Sequence, residues 1–296
     1  MRTEQVQFES LDASRLGTVY VPDGDGPHPC VVLCCGFGGT QDTPAVVAAA
    51  QAFAGAGFVA LTFDYRSFGR SEGHPRQVVD IGGQLDDIRA AIAYARSRTD
   101  VDDELVILWG TSLGGGHVVS VAADDPRLCA VVAQVPFNGF PRRVEQRSTA
   151  TTLKLLAAML ADALAGLLQR QPRYIKMIGG PDEVVVMGSA EAMHAVENMD
   201  SPTWQNKVAP RGLLQMMRYQ PGRVAARLTM PLLVCVAEFD RETLGENVLA
   251  LAQAAPKGVA RSYPIGHFDI YRADVRAEVL ADQIDFIRAA IDARRQ

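Results

Sequence analysis

The stretch from Leu105 to Gly116 constrains this chain more than any other. Leu105–Trp109 is a short apolar run, the pattern of a strand buried on both faces. It runs into Gly110, Thr111, Ser112, Leu113 and Gly114, and then into Val118, Val119, Val121 and Ala122 at helical spacing. Glycine two residues before and after Ser112 is the G-x-S-x-G pattern of a strand–turn–helix elbow. The spacing has a steric reason: a side chain held on so tight a turn needs neighbours without a Cβ, so that strand and helix can close on each other. A helix that starts at Ser112 also aims its free N–H groups and positive dipole end at the place where an oxyanion would form. A glycine-rich turn with an ordinary N-cap serine is the plain alternative.

Around this elbow the chain alternates. Residues 5–9 and 16–22 read as an antiparallel hairpin. Cys30–Cys35 is a second doubly buried strand, running straight into Gly36, Phe37, Gly38 and Gly39. A helix is expected over Pro44–Gly55, with proline at its start and glycine at its end. Strand Phe58–Phe63, helix Val78–Arg98, the elbow strand, its helix to about Asp124 and strand Ala130–Val135 follow. This rhythm implies a mostly parallel sheet with right-handed crossovers, flanked by helices. It stops over residues 137–222, where helical patterns at Thr149–Gln169, Ala190–Asn198 and Gly212–Tyr219 flank a polar stretch, Ile178–Asp182. It resumes with strand Pro231–Ala237, helix Thr243–Ala255, strand Val259–Pro264 and helix Arg276–Asp292. The expected organisation is therefore an α/β core of residues 1–136 and 223–296, with residues 137–222 as a helical lid or cap; a packed helical subdomain without function is the alternative.

Composition narrows the partners. The 296 residues are 48% hydrophobic and carry a net charge of −5, with no basic run interleaved with aromatics, so neither nucleic acid nor an anionic membrane is expected. No apolar signal region opens the chain and no apolar run reaches the ~18 residues of a membrane span. Cys30, Cys34, Cys35, Cys129 and Cys235 all fall in or beside strand-like runs without zinc spacing, which reads as reduced core thiols in a cytoplasmic protein. Nucleotide-binding glycine motifs and metal-spaced His/Cys/carboxylate clusters are missing, so no cofactor or metal is expected.

Three candidates stand directly after expected parallel strands: Ser112, Asp240 and His267. The carboxyl ends of parallel strands are where an open α/β sheet binds ligands, so residues distant in sequence meet there. A serine hydroxyl attacks a carbonyl only if a base takes its proton, and an acid must orient that base. Glu238 and Asp269 compete with Asp240 for the acid. Among the histidines, His28, His74, His117 and His194 compete with His267, which alone follows the last strand; His117 reads as packing and His74 could line the crevice.

With Gly36–Gly39, the run Asp64–Ser71, Gly110–Gly115, Asp240 and Gly266–Phe268 in this order, the chain resembles the α/β-hydrolase superfamily. It is most similar there to bacterial esterase-like members related to dienelactone hydrolases and X-prolyl peptidases, over roughly residues 5–135 and 228–292. The resemblance implies Ser112 as nucleophile, His267 as general base and Asp240 as its orienting acid. It implies an oxyanion hole from the backbone N–H groups of Phe37 and Leu113. Cys35-Gly36 stands where the family carries His-Gly, which leaves open how that loop is braced; a reactive thiol at Cys34 or Cys35 is the alternative to buried core thiols. The Asp, Arg and Ser residues of Asp64–Ser71 are expected to brace loops near the crevice by hydrogen bonds and an ion pair.

The expected activity is acyl transfer to water from a small-molecule carboxylic ester or lactone. Serine in the elbow argues against the aspartate chemistry of related dehalogenases and epoxide hydrolases. Cleavage of an acyl thioester needs the same residues and stays open beside it. A non-catalytic binding protein on the same fold is the rival from another class. Leu155, Met159, Met177, Met187, Met193, Met199, Trp204, Met216 and Met217 suggest an apolar, adaptable wall from the insertion, or simply its core. The insertion and the C-terminal edge leave room for a homodimer.

Overall fold

In a computed structural model, residues 1–11, 13–140, 148–180 and 182–296 are described. In chain order the elements begin with β1 (Arg2–Ser10), β2 (Ala13–Val21), β3 (His28–Cys34), α1 (Pro44–Gly55), β4 (Val59–Phe63) and α2 (Ile81–Ser97). The elbow lies between β5 (Val101–Thr111) and α3 (Leu113–Ala122), and β6 (Ala130–Gln134) follows. Next come α4 (Thr149–Leu167), β7 (Lys176–Ile178), β8 (Val185–Met187), α5 (Ala190–Met199) and α6 (Gly212–Met216). The chain ends with β9 (Leu232–Ala237), α7 (Gly245–Ala254), β10 (Gly258–Tyr263) and α8 (Ala273–Arg295).

Eight strands form one sheet in the order β1-β2-β4-β3-β5-β6-β9-β10. The hairpin β1–β2 adds antiparallel to β4, and every pairing from β4 to β10 is parallel. Alternation along the strands splits the core into two apolar layers. Val32, Leu61, Leu108, Val131 and Val234 face α2, α3 and α7. Val31, Leu33, Ile107, Trp109 and Val132 face α1 and α8, where Phe53 and Ile287 are fully enclosed. Each such side chain contributes about 1.5–3 kcal/mol on burial. The expected mostly parallel α/β sheet is what the chain forms.

The region between β6 and β9 differs from its expectation. It is not wholly helical, because β7 and β8 pair in a two-stranded parallel sheet of their own. Three-residue strands are too short to show a period, and Met177, Ile178 and Val185 are nonetheless buried. Residues 141–147 of the expected insertion and Pro181 of its polar stretch lie outside the described residues. A second correction concerns α4. Contrary to the expected lack of a membrane-length apolar run, an 18-residue window within its 19 residues has a mean hydropathy of 1.5 despite Lys154 and Asp162, long and apolar enough by composition to cross a membrane. Asp162 is turned inward, however, where it pairs with Arg211 at 2.7 Å and accepts the Arg173 N–H.

Candidate active site

The elbow is built from contacts that only glycine permits. A Cβ on Gly110 would fall on the backbone of Gly114, and one on Gly114 would fall on the carbonyl oxygens of Cys34 and Cys35. β5 therefore meets α3 and the end of β3 without side chains between them. Ser112 itself sits at φ 53°, ψ −120°, a strained conformation for a residue with a Cβ that costs about 1–3 kcal/mol. Its backbone is held on both sides: Ser112 N–H donates to Gln134 O at 2.9 Å, and Phe137 N–H donates to Ser112 O at 2.8 Å.

His267 and Asp240 come to Ser112 from the loops after β10 and β9. His267 Nε2 lies 3.2 Å from Ser112 Oγ, and His267 Nδ1 lies 2.7 Å from Asp240 Oδ2. Asp240 Oδ1 accepts the N–H groups of Glu242 and Thr243 at 2.8 and 2.7 Å, and Oδ2 accepts the Thr243 hydroxyl at 2.7 Å. Burial opposes the Asp240 charge, but the His267 imidazole and the Thr243 donors outweigh it and hold the carboxyl below the usual range. Burial likewise opposes the imidazolium, and Asp240 with the further carboxylates Glu242 and Glu191 outweighs it, so the pKa of His267 is raised.

The competing residues are elsewhere. Glu238 is exposed, and its backbone N–H donates to Tyr263 O. Asp269 accepts the Gly266 N–H at 2.9 Å and so braces the histidine loop from outside the line of charge. His117 is enclosed between Tyr219 and Gln84, at 2.9 and 3.0 Å, and burial lowers its pKa to about 3, which fixes it as a neutral packing residue. His74 and His194 are exposed and His28 stands at the far end of β3.

The loop after β3 closes the site. Gly36 lies against Ser112, since a Cβ on it would be 3.3 Å from Ser112 Cβ. Leu113 is the first helical residue of α3, and neither its N–H nor that of Phe37 meets an acceptor among the described residues. Instead of a histidine, the insertion braces this loop. Met177 packs its thioether where a Cβ of Gly38 would be, and Asp42 accepts from the hydroxyls of Thr40, Ser201 and Thr203. Cys34 and Cys35 are buried and unpaired. Burial first of all pushes both thiols far up, so neither is a thiolate. Cys30, Cys129 and Cys235 are likewise buried and unpaired.

A cavity opens on Ser112 and His267, walled by Phe37, Val46, Phe268 and, from the insertion, Met187 and Met199. Of the other apolar insertion residues, Leu155, Met159, Met177 and Met216 are buried in its core, Trp204 is part-buried, and Met193 and Met217 are exposed.

Sequence reasoning passed over two contacts from the insertion. Glu191 on α5 accepts the Phe268 N–H at 3.1 Å, directly after His267, and Ser189 donates to Glu242 at 3.1 Å. The start of α5 thus grips the histidine and acid loops together. Only the S-x-E spacing at the start of a helix hinted at these residues, and it reads as capping. Within Asp64–Ser71, Asp64 holds the Gln41 and Arg70 N–H groups, and Ser71 bonds Asp64 O. Arg66 pairs with Asp87, as does the enclosed Arg15, each at 2.8 Å.

Among known proteins, the quorum-quenching protein AidA of Acinetobacter baumannii is 37% identical over 98% of this chain and 95% of its own. The thiohydrolase aneE of Aspergillus aculeatus is 29% identical over 70% of this chain and 64% of its own. The solved structure of DcsB with its substrate analogue superposes with a TM-score of 0.83 at 23% identity, covering 98% of this chain and all of that one. The serine aminopeptidase S33 family matches residues 25–263. The chain is a hydrolase of the α/β-hydrolase superfamily and belongs to the serine aminopeptidase S33 family.

Proposed function

We propose that this protein cleaves a carboxylic ester or lactone through an acyl-enzyme on Ser112. The observation that carries the reading is the unbroken line from Asp240 through His267 to a strained Ser112, at 2.7 and 3.2 Å, opening on an apolar cavity. Ser112 Oγ attacks the carbonyl carbon while His267 Nε2 takes its proton, and Asp240 balances the imidazolium. The N–H groups of Phe37 and Leu113 hold the oxyanion. As the tetrahedral intermediate collapses, His267 returns the proton to the departing alkoxide. Water then attacks the acyl-enzyme, giving its proton to His267, and Ser112 leaves with that proton. The cavity is mostly apolar, and its methionines supply an adaptable wall. The insertion acts as the cap over it.

Acyl thioesters are the second reading, supported by the likeness to a protein named a thiohydrolase. Esters, lactones and thioesters with matched acyl groups, given to wild type and Ser112→Ala, test both. The expected result is hydrolysis by wild type, a loss of about 10⁶-fold in kcat for the variant, and a leaving-group preference that chooses between the readings. No turnover of any of them, with no fluorophosphonate labelling of Ser112, would make this a binding protein on a hydrolase fold.

A further inference from the structure

The insertion carries a surface unlike the rest of the molecule. On α4, Leu153, Leu156, Leu160, Leu164 and Leu167 are all exposed, from 39% at Leu156 to 82% at Leu167. Single exposed leucines are ordinary, but a row along one helix is not. The inner face of α4 is already used, with Leu155, Met159 and Ala165 buried and Asp162 tied to Arg211. Between Thr149 and Leu167 the charged residues are Lys154 and Asp162, so once Asp162 turns inward a single charge remains outside.

Leu153, Leu160 and Leu167 recur every seven residues, with Leu156 and Leu164 between them, the spacing at which two helices mesh side chains along a shared seam. We infer that α4 is the contact surface for a second copy of this chain, the two helices packing antiparallel about a two-fold axis through Leu160. That axis sets Leu160 on Leu160 and each Leu153 on the partner's Leu167. The interface is then isologous, as in most homodimers.

The area agrees with this occupant. The exposed leucines leave on the order of 600 Å² of apolar surface, the upper limit of what a monomer carries and near the ~800 Å² per partner of a stable interface. Ala157, Ala161 and Ala163 beside the row are small enough for close approach. A lipid surface fits less well. Interfacial helices surround their apolar face with Lys and Arg, whereas this outer face has Lys154 alone and the chain's net charge is −5. Insertion across a bilayer would pull Asp162 off Arg211 and strand its charge.

Light scattering on size-exclusion fractions of the full chain tests this. Wild type at about 50 µM is expected at twice the 31.9 kDa of one chain, and Leu160→Glu/Leu164→Glu at the single-chain mass with a single cooperative melt and unchanged ester hydrolysis. Leu160→Cys under mild oxidation is expected to give a disulfide-linked dimer, since all five native cysteines are buried. A monomeric wild type overturns the inference, and flotation of that monomer with phosphatidylcholine vesicles would assign the face to lipid. A dimer that survives the double substitution also overturns it, placing the contact elsewhere, for example at the exposed edge of β10.

Discussion

Replacing Asp240 with asparagine tests the reading of the site most sharply, because the structure dictates which way the amide must sit. Oδ1 accepts two backbone N–H groups, from Glu242 at 2.8 Å and Thr243 at 2.7 Å. Only the carbonyl oxygen of an asparagine can take that place. The NH2 group then occupies the Oδ2 position, 2.7 Å from His267 Nδ1. It can only donate there, so Nδ1 must become the acceptor and the ring proton moves to Nε2. That proton points at Ser112 Oγ, 3.2 Å away, and the base has no lone pair left for the serine proton. Thr243 keeps an acceptor in Val135 O at 3.4 Å, so the fold is expected to survive. Reversal of the tautomer in a serine–histidine–aspartate site lowers kcat about 10⁴-fold, and four decades at 1.36 kcal/mol each is about 5.5 kcal/mol of barrier. The assay is steady-state ester hydrolysis at constant pH, with thermal melting as the control for folding. Glu238→Gln, at the exposed competitor on the same loop, is expected to act as wild type. An Asp240→Asn enzyme within about tenfold of wild-type kcat/KM would refute the assignment of the acid.

The remaining predictions concern the base and the core beneath the site. His267 must be neutral to accept a proton, and Asp240, Glu242 and Glu191 face it, so kcat/KM rises with pH through a pKa above the ordinary histidine value. Glu191→Gln retains an acceptor for the Phe268 N–H and removes one negative charge, so this acid limb should move to lower pH; an unmoved limb would mean that Glu191 only holds the loop. Asp87 anchors Arg15, Arg66 and the Ser10 hydroxyl while fully buried, and Asp87→Ala leaves Arg15 enclosed without its counter-charge. Urea unfolding is expected to show a loss of about 3–5 kcal/mol, and a loss below about 1 kcal/mol would show that Arg15 finds other acceptors.

What could be read in the sequence was what local chemistry dictates. The elbow announces itself because Gly110 and Gly114 answer to backbone atoms within a few residues or on the next strand. Doubly buried strands such as Cys30–Cys34 and Leu105–Trp109 announce themselves by continuous apolarity. Pro44–Gly55 shows its helix bounds for a similar reason, with the punctuation inside the segment itself. The short strands β7 and β8 were illegible, since three residues carry no period and their partner is an equally short piece. The Asp87 pairing with Arg15 was equally hidden, because those residues are 72 positions apart and neither stands in a motif.

The same limit explains the most consequential omission. Everything recognisable about Ser112, His267 and Asp240 concerns where strands end, a property each strand writes into its own neighbourhood. Glu191 is different. Its role exists only because the insertion folds back over the sheet and sets the start of α5 against the loop carrying His267, with Ser189 reaching Glu242 at the same point. The same segment places Met199 in the cavity wall and Met177 under Gly38. One folded-back segment therefore touches the loops carrying His267 and Asp240, the loop after β3 and the cavity wall. On the proposed mechanism, substitutions at Glu191 or Met177 are expected to change rate and pH dependence while leaving Ser112 labelled by fluorophosphonate.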